Sequence, residues 1–139
     1  MGWVRAFIAG AVSTLVFHQG LFAGMYAAGL VPKAPYDMTQ VPPFGVPAVL
    51  SLAFFGGLWG IALWACIRRR KPPAYWTLAA ALGAIGPTAV AMLLVFPLKG
   101  IPTSAKTWVG GLILNGVWGL GVGVCMIAMG ARRDLRRGP

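Results

Sequence analysis

Four apolar stretches, each longer than the roughly 20 residues that a membrane-spanning helix needs, limit what this chain can fold into. They cover Val4–Leu30, Val46–Ile67, Ala74–Phe96 and Thr107–Gly130. The chain is 58% hydrophobic and only 10% charged, which leaves too few polar groups to cover a soluble core. The sequence therefore predicts an all-α integral membrane protein, with a bundle of four transmembrane helices forming a single domain over residues 1–139.

The positions of the basic residues predict the orientation of these helices. With the N-terminus in the cytoplasm, the outer side holds only Lys33, Lys99 and Lys106 of the 12 Lys and Arg residues. The other nine fall on the cytoplasmic side: Arg5, Arg68, Arg69, Arg70, Lys71, Arg132, Arg133, Arg136 and Arg137. This bias predicts a bacterial inner-membrane protein with both termini cytoplasmic.

The positions of the basic residues also indicate what these residues bind. Basic residues occur at segment ends and form no continuous basic face, which argues against nucleic-acid binding despite a net charge of +10. We expect the clusters at 68–71 and in the tail, residues 131–139, to contact anionic lipid headgroups of the inner leaflet. The first outer loop, residues 31–45, contains four prolines and is predicted to be a stiff cap across the bundle mouth.

An internal repeat relates the second and fourth stretches. Gly57-Leu-Trp-Gly60 aligns with Gly116-Val-Trp-Gly119 at an offset of 59 residues (116 − 57), and Cys66 then aligns with Cys125. The preceding stretches share a weaker similarity, between Gly10-Ala-Val and Gly83-Ala-Ile. The pattern predicts a duplicated helical hairpin, a 2+2 parallel repeat with a pseudo-two-fold axis along the membrane normal.

Glycines spaced four residues apart predict close helix packing, because lipid supplies no hydrophobic drive between helices. The pairs are Gly20 with Gly24, Gly56 with Gly60, and Gly119 with Gly123. We expect most of them to pack within the chain, with one stripe available for a homodimer.

Several polar or aromatic residues are predicted to lie near the bilayer midplane, where an indole N–H needs an internal acceptor. Counting at about 1.5 Å per residue places Trp59, Trp118, His18 and Thr88 at similar depths. The candidate midplane polar or ligand site comprises His18, Gln19, Trp59, Thr88, Asn115 and Trp118.

His18 and Gln19 are adjacent and therefore point about 100° apart on a regular helix. One interpretation is structural: a neutral His18 bonds Thr14 or the Gly83 carbonyl, which Pro87 leaves unpaired, and Gln19 bridges to another helix or protomer. The other is functional, with His18 contacting haem or quinone or relaying protons.

Familiar catalytic and metal-binding patterns are missing. One His, two Cys and two acidic residues do not give zinc spacing, and no carboxylate pair, nucleophile elbow or phosphate loop is present. Asp37 and Lys99 are candidate charges at the outer mouth, where Lys99 either extends to headgroups or pairs with Asp37. We therefore predict no enzyme activity, no metal site and no resident cofactor.

The stretches FHQG, GVPAVLSLAFFGGLWG, FPLKG and NGVWGLG resemble those of small, uncharacterised four-span bacterial inner-membrane proteins. The resemblance covers most of the chain and implies location and architecture, but no activity.

These observations favour a non-catalytic inner-membrane protein that self-associates or serves as an accessory subunit of a larger membrane complex. One alternative is a small dimeric transporter or channel with a midplane polar site around His18. The other is a haem- or quinone-binding redox protein that uses the same histidine.

Overall fold

The computed structural model describes residues 1–131. Within them, four long helices follow one another: α1 (Gly2–Ala27), α2 (Ala48–Ile67), α3 (Ala74–Leu98) and α4 (Ala105–Ala128). A short antiparallel ribbon of β1 (Gln40–Val41) and β2 (Val46–Pro47) leads into α2. The predicted headgroup contacts of Arg132, Arg133, Arg136 and Arg137 lie outside the described residues.

All four helices are long and apolar enough to cross a membrane, so the prediction of four apolar spans is confirmed. Their ends differ from the predicted ones by two or three residues where local backbone chemistry overrides hydropathy. Gly29 and Gly130 adopt left-handed backbone with φ of +72°, which ends α1 and α4 before the apolar sequence ends. The α4 helix begins early because the hydroxyls of Ser104 and Thr107 form a capping box with each other's backbone N–H.

The helices pack as two hairpins. The α1 helix lies chiefly against α2, and α3 chiefly against α4; the hairpins then join mainly through α1 and α4, with a smaller contact between α2 and α3. The main cluster of buried residues lies toward the end that carries the N-terminus. It contains Ala6, Ala9, Leu63, Trp64, Ile67, Tyr75, Ala79, Trp118, Val122, Met126 and Ala131.

Glycines bring the helices of the first hairpin together at the backbone. A methyl group at Gly10 would overlap the Gly56 carbonyl on α2. One at Gly60 would lie 2.5 Å from the Ala6 carbonyl oxygen and 2.8 Å from the Gly10 Cα. Because real carbon atoms do not approach so closely, these positions require glycine for α1 and α2 to meet at this distance.

The second hairpin makes the corresponding contact. A methyl group at Gly83 would lie 2.7 Å from the Gly119 Cα, and one at Gly119 would overlap the Ala79 carbonyl. By contrast, no atom lies within 4 Å of a methyl group placed at Gly20 or Gly24. This pair of glycines is therefore not used for packing among the described residues.

Candidate functional site

The half of α1 that leads to the loop of residues 31–45 contains a π-helical turn, Thr14–His18, with one more residue per hydrogen-bonded ring than the α-helix. Backbone N–H groups at its end donate to the carbonyls of Thr14 and Val16. The carbonyl between them, that of Leu15, accepts a hydrogen bond from the Tyr36 hydroxyl at 2.9 Å. Tyr36, a residue of the loop, thus donates a hydrogen bond to a backbone carbonyl of the π-helical turn.

Gln19 follows this turn and is buried. Its side-chain Oε1 accepts a hydrogen bond from the backbone N–H of Tyr36 at 2.7 Å, while its Nε2 lies 3.4 Å from Nδ1 of the half-buried His18. With Nδ1 as acceptor, Gln19 connects the outer loop to His18 through one amide group. Gln19, His18, Tyr36 and the Leu15 carbonyl form what we call the outer polar cluster.

The loop that carries Tyr36 is braced by its own charges. The Lys33 ammonium lies 2.7 Å from the Asp37 carboxylate, which also accepts from the Thr39 N–H at 2.9 Å. The hydrogen bond from Lys33, followed by those from Thr39, lowers the pKa of Asp37 well below its ordinary value. Tyr36 itself has φ of +54°, a left-handed conformation that few residues other than glycine adopt, so the braced loop holds it in an uncommon backbone geometry.

The structure places His18 nearer than Trp59 to the end of the bundle that carries the loop of residues 31–45. Gly10 faces Gly60, and Thr14 faces Gly56, across the antiparallel α1–α2 contact. Continuing this register sets His18 level with Leu52, seven residues from Trp59, or about 10 Å. His18 and Trp59 therefore do not share the single layer that was predicted.

Trp118 lies between the hairpins, against Gly10 and Ser13 of α1. Its indole N–H donates to the Gly10 carbonyl at 3.0 Å, which also accepts from the Thr14 hydroxyl at 2.9 Å. The Ser13 hydroxyl donates in the opposite direction, to the Trp118 carbonyl, at 2.6 Å. The predicted need of this indole for an internal acceptor is met by α1.

Thr88 and Asn115 form a separate polar pair between α3 and α4. The Asn115 amide donates to the hydroxyl of the fully buried Thr88 at 2.9 Å. Trp59 is half-buried on α2, and its ring packs against Gly86 on α3. The six predicted midplane residues are thus divided among three places: His18 with Gln19, Trp118 with α1, and the remainder along α3 and its neighbours.

Three predicted contacts are replaced by others. Gln19 bonds a loop of its own chain rather than another helix or protomer, and the Thr14 hydroxyl is directed at Gly10 rather than at His18. At the outer mouth, Asp37 pairs with Lys33, four residues away, rather than with Lys99. In each case the observed partner is close in sequence or on an adjoining loop.

The turn between α2 and α3 presents Arg69, Arg70 and Lys71 as exposed residues. Arg68 is half-buried, and its guanidinium stacks over the Trp3 ring, 5.0 Å from its centroid. Cys66 and Cys125 are both free thiols. Across residues 1–131, no three His, Cys, Asp or Glu side chains come together as a metal-binding group.

Two tyrosines with structural roles were not identified from the sequence. Tyr36 joins the outer polar cluster, and the fully buried Tyr75 donates from its hydroxyl to the Gly123 carbonyl at 2.8 Å. A signal existed for Tyr75, since a tyrosine at the start of an apolar helix beside a glycine-rich one can reach an exposed carbonyl. Tyr36 sits in an aperiodic loop, where spacing gives no such signal.

Comparison with known proteins identifies no relative of this chain. The chain matches no family model, and no curated protein and no solved structure is significantly similar to it.

Proposed function

We propose that the chain is a non-catalytic, multi-pass protein of the bacterial inner membrane that works by associating with a second copy of itself. The observation that carries this proposal is the exposed glycine pair on α1. The other glycine pairs of the helices meet a neighbouring helix or side chain, but Gly20 and Gly24 have open space where a side chain would be. Small residues left open on a membrane helix are typical of helix–helix association in lipid.

The filled interior supports a binding role rather than a catalytic or transport role. Among residues 1–131, every buried side-chain nitrogen or oxygen has a hydrogen-bond partner, including those of Ser13, Thr14, Gln19 and Thr88. Sites that move ions or substrates usually direct polar groups toward a cavity or a water-filled path. Here these groups are directed toward other parts of the chain.

Self-association is tested by replacing Gly20 or Gly24 with Ile and measuring the mass of the purified protein in mild detergent. The wild type is expected to be dimeric and both variants to shift toward monomer, because the branched side chain prevents close backbone approach. Gly110→Ile is the matched control, since Gly110 on α4 also has open space around it.

A wild-type monomer, or an equal effect of Gly110→Ile, would contradict the proposal. A monomer that co-purifies from native membranes with a different polypeptide in fixed ratio would establish the accessory-subunit role instead.

The proposed topology places both termini in the cytoplasm, on the basis of the distribution of Lys and Arg. A cytoplasmic reporter fused after Pro139 should be active, and a periplasmic reporter at the same position should be inactive. The reverse result would overturn the assigned orientation.

We also infer that the two hairpins are parallel repeats of one ancestral hairpin. Gly10 meets Gly60 as Gly83 meets Gly119, and the Ala6 carbonyl faces Gly60 as the Ala79 carbonyl faces Gly119. The offsets agree with the sequence alignment, 73 residues for the first helices (83 − 10) and 59 for the second (119 − 60). An experimental structure whose hairpins superpose only after one is inverted would remove this inference.

A further inference from the structure

We propose that a groove between the inner halves of α1 and α4 binds one acyl chain of an anionic phospholipid, with its phosphate at Arg5. This inference rests on the proposed membrane location. The groove has a volume of about 160 Å³ and is lined by Ile8, Ala9, Val12, Cys125, Ala128 and Met129. An apolar cavity of about 150 Å³ admits a hydrocarbon the size of benzene, so this groove has room for a segment of an acyl chain.

Arg5 lies at the inner end of this groove. On a helix, residues three and four apart share a face, so Arg5 is directly below Ile8 and Ala9, with Val12 one turn further out. An acyl chain against these residues therefore runs along α1 toward the guanidinium. Arg5 is half-buried, and its five donors allow it to bind a phosphate oxygen while it keeps contacts within the chain.

Charge identifies the occupant as an anionic lipid rather than a neutral one. The proposed cytoplasmic side carries Arg68 and the exposed cluster Arg69, Arg70 and Lys71 besides Arg5. Anionic headgroups occur in the cytoplasmic leaflet and are attracted to basic residues near that surface. The bulky side chains of Ile8, Val12 and Met129 that form the walls would hold a third helix away, whereas a flexible acyl chain fits between them.

The headgroup contact is tested with the purified full-length protein by native mass spectrometry, titrating phosphatidylglycerol against phosphatidylcholine with matched acyl chains. The wild type is expected to bind one phosphatidylglycerol in preference to phosphatidylcholine. Arg5→Gln should weaken that binding about fivefold, the equivalent of about 1 kcal/mol. Lys106→Gln removes one positive charge from an exposed position at the opposite end of α4 from the groove and should leave the affinity within about twofold.

The acyl-chain contact is tested by filling the groove. Ala128→Phe should reduce the bound phosphatidylglycerol, while Ala81→Phe, at an exposed position on α3 outside the groove, should not. If circular dichroism shows that Ala128→Phe is misfolded, Val12→Phe fills the same groove from the opposite wall.

Equal binding of the two lipids would overturn the inference, as would equal losses in Arg5→Gln and Lys106→Gln or a folded groove variant with unchanged affinity. Membrane fractionation and the mass of the protein are measured on the same samples. A membrane-bound dimer without lipid preference contradicts this inference alone, whereas a chain recovered in the soluble fraction contradicts the proposed function.

Discussion

The indole N–H of Trp118 donates a hydrogen bond to the Gly10 carbonyl, 3.0 Å away, and thereby joins α4 to α1. The Ser13 hydroxyl on α1 donates to the Trp118 carbonyl at 2.6 Å. The two hairpins are therefore connected by polar bonds that run in both directions between the same two helices. Since both bonds are buried inside the bundle, they fix how the hairpins are oriented relative to each other.

Replacing Trp118 with Phe should lower the free energy of unfolding by about 1–2 kcal/mol, because an interhelical hydrogen bond is lost. The measurement is unfolding by a denaturing detergent in mixed micelles. Trp59→Phe is the control, since the half-buried Trp59 packs its ring on Gly86, and should cost less. An equal cost for the two variants would show that ring volume, and not the hydrogen bond, decides the effect.

The glycine contacts predict that equivalent Gly→Ala substitutions in the two hairpins lower the stability of the protein by similar amounts. Gly60→Ala and Gly119→Ala should each destabilise the protein by about 1–3 kcal/mol, because the added methyl group meets a backbone carbonyl of the facing helix. Gly110→Ala adds the same methyl group in open space and should be neutral or stabilising. If the two hairpin variants differed by several kcal/mol, the contacts would not be energetically equivalent.

The outer loop should open when its attachment to α1 is weakened. Tyr36→Phe removes the hydroxyl bond to the Leu15 carbonyl and should increase hydrogen exchange in the loop about fivefold, as expected for about 1 kcal/mol. Gln19→Leu should have a larger effect, because it leaves the Tyr36 N–H without its acceptor. Unchanged exchange in both variants would mean that other contacts hold the loop.

The ion pair between Lys33 and Asp37 should weaken at acidic pH and stay unchanged near neutral pH. The pKa of Asp37 is lowered in the folded loop, so its contribution is fully present above the unfolded carboxyl value of about 3.9 and is lost as the pH falls below it. The NMR shift of the Thr39 amide proton, which bonds the Asp37 carboxylate, should therefore be constant between about pH 5 and 8. A titration within that range would contradict the assignment.

His18→Asn should leave the fold intact and cost less than about 1 kcal/mol, because the single contact of His18 in the outer polar cluster, to Gln19, is long at 3.4 Å. Gln19→Leu should cost more, since it removes both connections of a buried amide. Detergent unfolding measures both. If the His18→Asn protein folds but cells that carry it grow differently from cells with the wild type, the result would instead support a functional histidine.

Hydropathy was enough to locate four apolar spans, because length and composition alone determine whether a helix can cross a bilayer. Glycine spacing also indicated where helices meet for two of the three predicted pairs, Gly56 with Gly60 and Gly119 with Gly123, since a position that requires close backbone approach admits no other residue. Hydropathy and glycine spacing are local and periodic signals. They can therefore be recognised in one segment of the sequence without knowing which helix packs against it.

The partner of Gln19 could not be predicted in the same way. The prediction assumed a regular helix in which His18 and Gln19 diverge by about 100°, whereas Thr14–His18 forms a wider turn that rotates each residue less. Its actual partner, Tyr36, lies in a loop whose course depends on the Lys33–Asp37 pair. Neither the π-helical turn nor the path of the loop produces a regular spacing of residues that could be recognised in the sequence.

The unequal lengths of the helices have a consequence for any bilayer that the bundle crosses. The 20 residues of α2 span about 30 Å, the thickness of a typical hydrocarbon core, but the 26 residues of α1 span about 39 Å. A bundle with such mismatched sides must tilt α1 or thicken the lipid beside it. In the register that sets His18 level with Leu52, the surplus of α1 at this end is residues 23–27. The outer loop, bonded to α1 at Leu15 and Gln19, therefore covers polar groups within the length that the two helices share.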